Sequence, residues 1–126
     1  MGVAKDKGIF AWWPALLWAL VMLLFAVLPY KRVPSITTGY FDKVAHFIEY
    51  FILSVLVVRG LSNHSEHPFR DRVFSFTLIL GGLYGIVLEL MQHLVPGRHP
   101  SFGDAAANLA GVLVGLIIGK EVLWRK

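Results

Sequence analysis

Residues 73–95 read VFSFTLILGGLYGIVLELMQHLV, an apolar run with one acid, Glu89, and with Gln92 and His93 just behind it. At 1.5 Å per residue such a run crosses the ~30 Å of a bilayer's hydrocarbon core. It stops at Pro96-Gly97-Arg98, and the next apolar run opens at Asp104 and carries Asn108. Ionisable groups are costly in hydrocarbon and persist there chiefly when they face a protein interior or a polar cavity. The stretch therefore predicts a membrane protein with a buried polar site.

The rest of the chain agrees. Its 126 residues are 56% hydrophobic and only 16% charged, too little polar surface to cover a soluble domain of this size. Four apolar blocks, 9–30, 44–61, 73–95 and 105–124, predict an all-α bundle of four transmembrane helices in one domain, 1–126. The second block begins polar, with His46 and Glu49 in its first two turns, so hydropathy alone starts it late. Lys5 and Lys7 give the first block a positive start, as in a signal peptide. Yet it is longer than a secretory core and ends Leu28-Pro29-Tyr30 without a small-x-small cleavage site, so we read a retained helix.

The absence of cysteine excludes disulfides, thiolate chemistry and Cys-ligated metals. A net charge of +4 would suggest nucleic acid in a soluble domain. Here the positive-inside bias of membrane loops explains it, and no nucleic-acid partner is expected. Four spans place both termini and the second loop together, with Lys5, Lys7, Arg59, Arg70, Arg72, Lys120, Arg125 and Lys126; the other side holds Lys31, Arg32, Lys43 and Arg98. That imbalance favours cytoplasmic N and C termini. Trp12, Trp13 and Trp124 at one interface and Tyr30 and Tyr40 at the other suit aromatic belts. His64 and His67 in the second loop lack the further ligands of a structural metal site; His46, Glu49, Glu89, His93 and Asp104 could ligate a divalent cation, but such N/O sets are common without metal, and no metal or cofactor is expected in this chain.

In this topology the polar residues gather at the outer ends of three helices. Asp42, His46 and Glu49 lie at i, i+4 and i+7 on one helical face; Glu89, Gln92 and His93 share another; Asp104 and Asn108 are one turn apart. Glu49 lies about 9 Å along its helix from Lys43, and Glu89 about 10 Å from Pro96, so the depths match. Gly81 and Gly85, and Gly111, Gly115 and Gly119, recur at every fourth position. We read them as a packing seam between the third and fourth helices that turns Glu89 and Asn108 inward. On that reading Gly85 and Gly115 tolerate leucine less well than Gly60 does. The loop between these helices, residues 96–104, is rich in turn formers; Ser101 or Asp104 can cap the fourth helix, with Arg98 close enough to pair with Asp104.

Three blocks carry a family resemblance: Asp42-Lys43-Val44-Ala45-His46-Phe47 followed by Glu49-Tyr50; Tyr84-Gly85 leading to Glu89, Gln92 and Pro96-Gly97-Arg98; and Ser101 with Asp104, Asn108 and Gly111. In this order and at these separations the chain resembles the VanZ-like family. The resemblance implies a small bacterial multi-pass protein of the cytoplasmic membrane whose biochemical role is unsettled. The family takes its name from a member linked to resistance to the glycopeptide teicoplanin.

Three functions fit these residues. The first is binding of a lipid or lipid-linked envelope molecule at the outer leaflet. Its candidate ligand-binding residues are Asp42, Lys43, His46, Glu89, Gln92, Arg98, Ser101, Asp104 and Asn108, with cations and a helix N-terminus suited to phosphate. The second is an intramembrane enzyme using Glu89, His46 or His93 as acid and base, although no nucleophile elbow, HExxH or phosphate loop is present. The third is a polar network that only fixes helix register.

The topology is open to a direct test, because the cysteine-free chain makes single-cysteine probes clean. An impermeant maleimide applied to intact cells should label Ser35→Cys and Ser101→Cys and spare Ser65→Cys; the reverse pattern would overturn the orientation.

Overall fold

A computed structural model describes residues 9–27, 40–64, 72–95 and 102–123, with side chains described over 12–27, 43–62, 72–95 and 102–122. They form α1 (Ile9–Val27), α2 (Tyr40–His64), α3 (Val73–His93) and α4 (Phe102–Leu123), with no strand among the described residues. The connections, with Ser35, Ser65, His67, Arg98 and Ser101, lie outside the described residues. So do Tyr30 and Trp124 and the side chains of Tyr40, Asp42 and His64.

Three helices are long and apolar enough to cross a membrane, over Lys43–Ser62, Val73–His93 and Phe102–Val122; the apolar stretch of α1, Trp12–Val27, is shorter. Large apolar side chains face outward all around the bundle, among them Leu16, Leu20, Ile79, Leu83, Leu90 and Ile117, each at least half exposed. A water-facing surface does not present so many contiguous apolar groups; a lipid-facing one does. This is a membrane protein.

The helix α2 extends past the expected block 44–61 at both ends, from Tyr40 to His64. Hydropathy marks where hydrocarbon begins, whereas a helix runs on wherever its backbone and side chains remain satisfied. At the N-terminal end Lys43 and His46 find partners on α4, so the polar residues belong to the helix. The helix α3 ends as its last carbonyls accept tighter bonds, Leu94 N–H to Met91 O and Val95 N–H to Gln92 O, both 3.1 Å. Such bonds suit a residue preceding Pro96, which disfavours further helix.

Contacts along the chain give the helix directions. Trp18 Nε1 donates to the Glu49 carbonyl at 2.9 Å and Trp12 covers Gly60, so α1 and α2 are antiparallel. Glu89 meets Asn108 and Gly81 meets Val112, so α3 and α4 are antiparallel too. Lys43–Asp104, His46–Asn108 and Ser54–Val112 keep almost one sequence offset, making α2 and α4 parallel. The Tyr84 hydroxyl donates to the Ala19 carbonyl and ties α3 to α1. The core runs along α2 through Tyr50, Leu53, Val57, Val58 and Leu61, with Met22, Val73, Leu88, Val112 and Leu116 packed around it.

The glycine seam does not join the helices expected from sequence. Gly111, Gly115 and Gly119 lie against α2, not α3. A Cβ on Gly115 would sit 2.5 Å from the Phe51 carbonyl oxygen, and one on Gly111 would overlap the carbonyl of Phe47. Residue spacing identifies a small-residue face but does not name the helix that covers it. On α3, Gly81 receives Val112 of α4, whereas Gly85 receives the ring of Tyr50 from α2. Gly60 is no tolerant position either: a Cβ there would meet the Trp12 ring at 2.9 Å. Trp12 therefore packs inward, with its ring also 6.3 Å from Phe76, while Trp13 alone of that pair is exposed.

Gly82 is the position where a side chain meets nothing within 4 Å. We expect Gly111→Ala and Gly115→Ala to cost roughly 1–3 kcal/mol by forcing α2 and α4 apart. Gly82→Ala should be neutral or stabilising by up to ~1 kcal/mol through helix propensity. Thermal unfolding in detergent compares the three; equal transitions would show that α4 does not depend on backbone contact with α2.

Candidate functional site

The tight α2–α4 contact sets the geometry of the polar end. Lys43, in the first described turns of α2, lies across Gly103 with its Cε 2.5 Å from where a Cβ would stand. Its Nζ reaches Asp104 Oδ1 at 2.6 Å. Asp104 is buried in the first turn of α4, where the helix N-terminus also favours a negative charge. His46, one turn along α2, turns Nε2 toward Asp104 Oδ2 at 3.9 Å and Nδ1 toward Asn108 Oδ1 at 3.0 Å. Asn108 in turn donates from Nδ2 to Glu89 Oε1 at 3.3 Å. Lys43, Asp104, His46, Asn108 and Glu89 thus form one connected chain across α2, α4 and α3.

Asp104, His46 and Asn108 are buried, at 4%, 8% and 7% exposure, while Glu89 is half-buried. The buried members are therefore those with partners on two sides. Two unit charges about 4 Å apart attract by about 4 kcal/mol at an effective dielectric of 20. The Lys43–Asp104 pair offsets the desolvation of Asp104 on that scale, reduced because the Lys43 side chain is 40% exposed. Asp104 is thus paired between helices with Lys43, and its expected local pairing with Arg98 lies outside the described residues.

Beyond Glu89 the chain opens onto a groove of about 490 Å³ between α3 and α4. Its walls are Gly82, Ile86 and Leu90 on one side and Ala105, Leu109 and Val112 on the other. Glu89, His93 and Asn108 supply its polar groups. It follows α3 from Gly81 to His93, roughly 18 Å at 1.5 Å per residue.

Of the residues expected at the site, the structure brings together Lys43, His46, Glu89, Asp104 and Asn108. His93 is exposed on the groove wall one turn past Glu89, and Gln92 is half-buried in the same turn. Asp42 is in α2 without a described side chain, and Arg98 and Ser101 lie outside the described residues. Among the described residues no three His, Asp or Glu side chains converge as metal ligands. The sequence reading missed the groove itself and the use of Gly103. The groove has a legible trace, the four-residue steps Gly82–Ile86–Leu90 and Ala105–Leu109, which line the face beside the packed one.

An all-helical bundle with spanning-length apolar helices and charged side chains paired inside one end defines a multi-pass membrane protein with a buried polar site. The profile of the VanZ/LLP1 family matches residues 9–124, and the chain belongs to that family. No curated protein and no solved structure matches it.

The ion pair makes a stability prediction. Removing one partner of a buried pair costs ~3–5 kcal/mol, and the partial exposure of Lys43 should bring the loss for Lys43→Met to roughly half of that. Lys43→Met with Asp104→Asn, which leaves no unpaired carboxylate, should recover part of the loss. A double variant no more stable than the single one would show that Asp104 does not depend on Lys43.

Proposed function

We propose that this protein binds a lipid or lipid-linked envelope molecule in the groove between α3 and α4. The single observation that carries the reading is a groove that is apolar along its length and polar at one end. Its volume falls within the ~300–1,000 Å³ typical of small-molecule sites. An acyl or isoprenoid tail would lie along Gly82, Ile86, Leu109 and Val112, and the headgroup would meet Glu89, His93 and Asn108. Lys43, His46 and Asp104 support Asn108 from behind. They are engaged with one another, so they act here by holding the headgroup's partners more than by gripping a phosphate. Asp42, Gln92, Arg98 and Ser101 stay in the proposal as residues near the same end of the bundle.

We place this end at the outer face of the bacterial cytoplasmic membrane, with both termini in the cytoplasm, on the distribution of Lys and Arg. A site there is consistent with a link between the family and glycopeptide susceptibility. A second reading takes support from Glu89 and His93 lining the same groove one turn apart: acid–base chemistry on the bound lipid. Lipid turnover by purified protein would separate catalysis from binding.

Native mass spectrometry of protein extracted with its own lipids tests the proposal. Wild-type protein should retain a defined lipid. Gly82→Leu fills the groove without meeting other atoms near its Cβ, so it should lose that lipid at an unchanged melting temperature. Glu89→Gln keeps shape and hydrogen bonding, and it should fold normally with reduced occupancy. Wild-type occupancy in folded Gly82→Leu would overturn the groove as the site. Wild-type occupancy in Glu89→Gln, or a loss that only follows unfolding, would overturn the role of the acid.

A further inference from the structure

The polar end of the groove includes a group that nothing above has used. Phe102, the first residue of α4, is 96% exposed and lines the groove. It heads the row Phe102, Ala105, Leu109 and Val112, whose spacing of three, four and three residues makes one helical face. Phe102 stands about 9 Å along α4 from Asn108, and Ala105 between them has only a methyl group to put into the interval. His93, one turn past Glu89 on the antiparallel α3, lies opposite that interval. An aromatic ring thus bounds one side of a short compartment, with Glu89 and Asn108 on the other. Below Glu89 the apolar walls run back to Gly81, roughly 12 Å, which falls within the ~15 Å of one leaflet of a ~30 Å hydrocarbon core. That length suits a lipid tail from one leaflet and is short for a partner's spanning helix.

These residue types discriminate among headgroups. A phosphate is held by Arg, Lys and helix N-termini, and no Lys or Arg is among the described residues that line the groove. Lys43 turns instead to Asp104 across Gly103, and the α4 N-terminus already carries Asp104 in its first turn. An ammonium group is held by several acids or by a cage of aromatic rings, and here one acid and one ring stand with an amide and an imidazole. A hydroxyl both donates and accepts, so it can bond to a carboxyl group, an amide or an imidazole whatever the protonation of each. A sugar ring carries several hydroxyls at its rim and a flat C–H face between them. That face covers an aromatic ring while the rim reaches polar partners.

We propose that the compartment between Phe102 and Glu89 holds a sugar ring, so that the lipid in the groove is a glycolipid whose sugar stacks on Phe102 and bonds to Glu89, Asn108 and His93. The inference rests on the groove reading and names the class of its ligand. The tail joins the sugar through a neutral linkage, as in a glycosyl diacylglycerol, because a linking phosphate would fall at the level of Glu89. Phe102 then sets headgroup specificity, and the walls below Glu89 bind the tail whatever the headgroup.

Competition among defined lipids, read by native mass spectrometry of the delipidated full chain, tests it. The probes are glucosyl diacylglycerol, diacylglycerol, phosphatidic acid, phosphatidylethanolamine and phosphatidylglycerol with matched acyl chains, together with a glucosyl isoprenoid phosphate. Glucosyl diacylglycerol should exceed each of the others in occupancy by on the order of tenfold, the scale of one or two net hydrogen bonds. Phe102→Ala should remove most of that preference while leaving diacylglycerol binding and the melting temperature unchanged. Phe74→Ala, an exposed ring at the other end of α3, should change neither. Wild-type protein that binds all the probes equally, or that prefers any of the other five, would overturn the sugar site, and that measurement needs no variant to fold. A preference undiminished in folded Phe102→Ala would overturn it as well. Release of every probe from Gly82→Leu, with no discrimination among headgroups in wild type, would overturn the sugar site and leave the groove reading standing. Retention of every probe by folded Gly82→Leu would overturn the groove reading and the sugar site with it.

Discussion

The rest of the structure depends on the approach of α4 to the backbone of α2. Between lipid-embedded helices there is no hydrophobic drive, because the surrounding tails are as apolar as leucine. Attraction comes from dispersion over closely packed atoms and from hydrogen bonds, and both fall away quickly with distance. Gly111 and Gly115 remove the side chains that would otherwise stand between Phe47, Phe51 and the facing helix. With α2 and α4 parallel and in contact, the first turns of both arrive at one level. Only then does Lys43 reach Asp104 and His46 reach Asn108. The phenylalanines turn aside and stack on each other, with ring centroids 6.3 Å apart.

That contact also explains why a groove exists. The α4 face that meets α2 is built of glycine, whereas the neighbouring face presents Val112, Leu109 and Ala105 toward α3. Val112 fits over Gly81, and from there toward Glu89 the two helices enclose space instead of filling it. The α2–α4 side is closed and polar at its end; the α3–α4 side is open and apolar. Asn108 sits where they meet and is bonded in both directions. Interhelical hydrogen bonds in membranes average only ~0.6 kcal/mol, little return for desolvating three ionisable groups. A structural role for the chain would need only the pairs between α2 and α4. Its extension to Glu89, on the wall of the groove, joins α3 to that pair.

Much of this was legible in the sequence because hydrocarbon makes strong demands. Four helices, their approximate limits and the identity of the polar cluster follow from the cost of unpaired groups in a bilayer. Glu89, Asp104, Asn108 and His46 stand out because polar and ionisable residues are few in their runs. The pairing of helices was not legible. A glycine at every fourth position shows that something comes close, but spacing along α4 is the same whether α2 or α3 approaches. The same limit applied to Asp104, whose partner Lys43 is 61 residues away along the chain and has no periodic relation to it in sequence. Gly60 was misread for a related reason: a single glycine has no period, and only the placement of Trp12 over it reveals a contact.

A groove leaves a weaker trace than a core, because its residues are those of an ordinary lipid-facing helix. Ile86, Leu90 and Leu109 are as exposed as the outward Leu83 and Ile117, and nothing in their chemistry separates them. What distinguishes the groove is what ends it. Along α3 the lipid-facing run ends at Glu89 and His93, and along α4 the same level carries Asn108. A tail lying in the groove would therefore deliver its headgroup to the one place where the hydrocarbon-level surface turns polar. The acid met there is tied through Asn108 and His46 to an ion pair on the far side of α4, so the fold and the site are built from the same residues. The glycine contact that brings α2 to α4 also brings together the side chains through which Glu89 is joined to the ion pair.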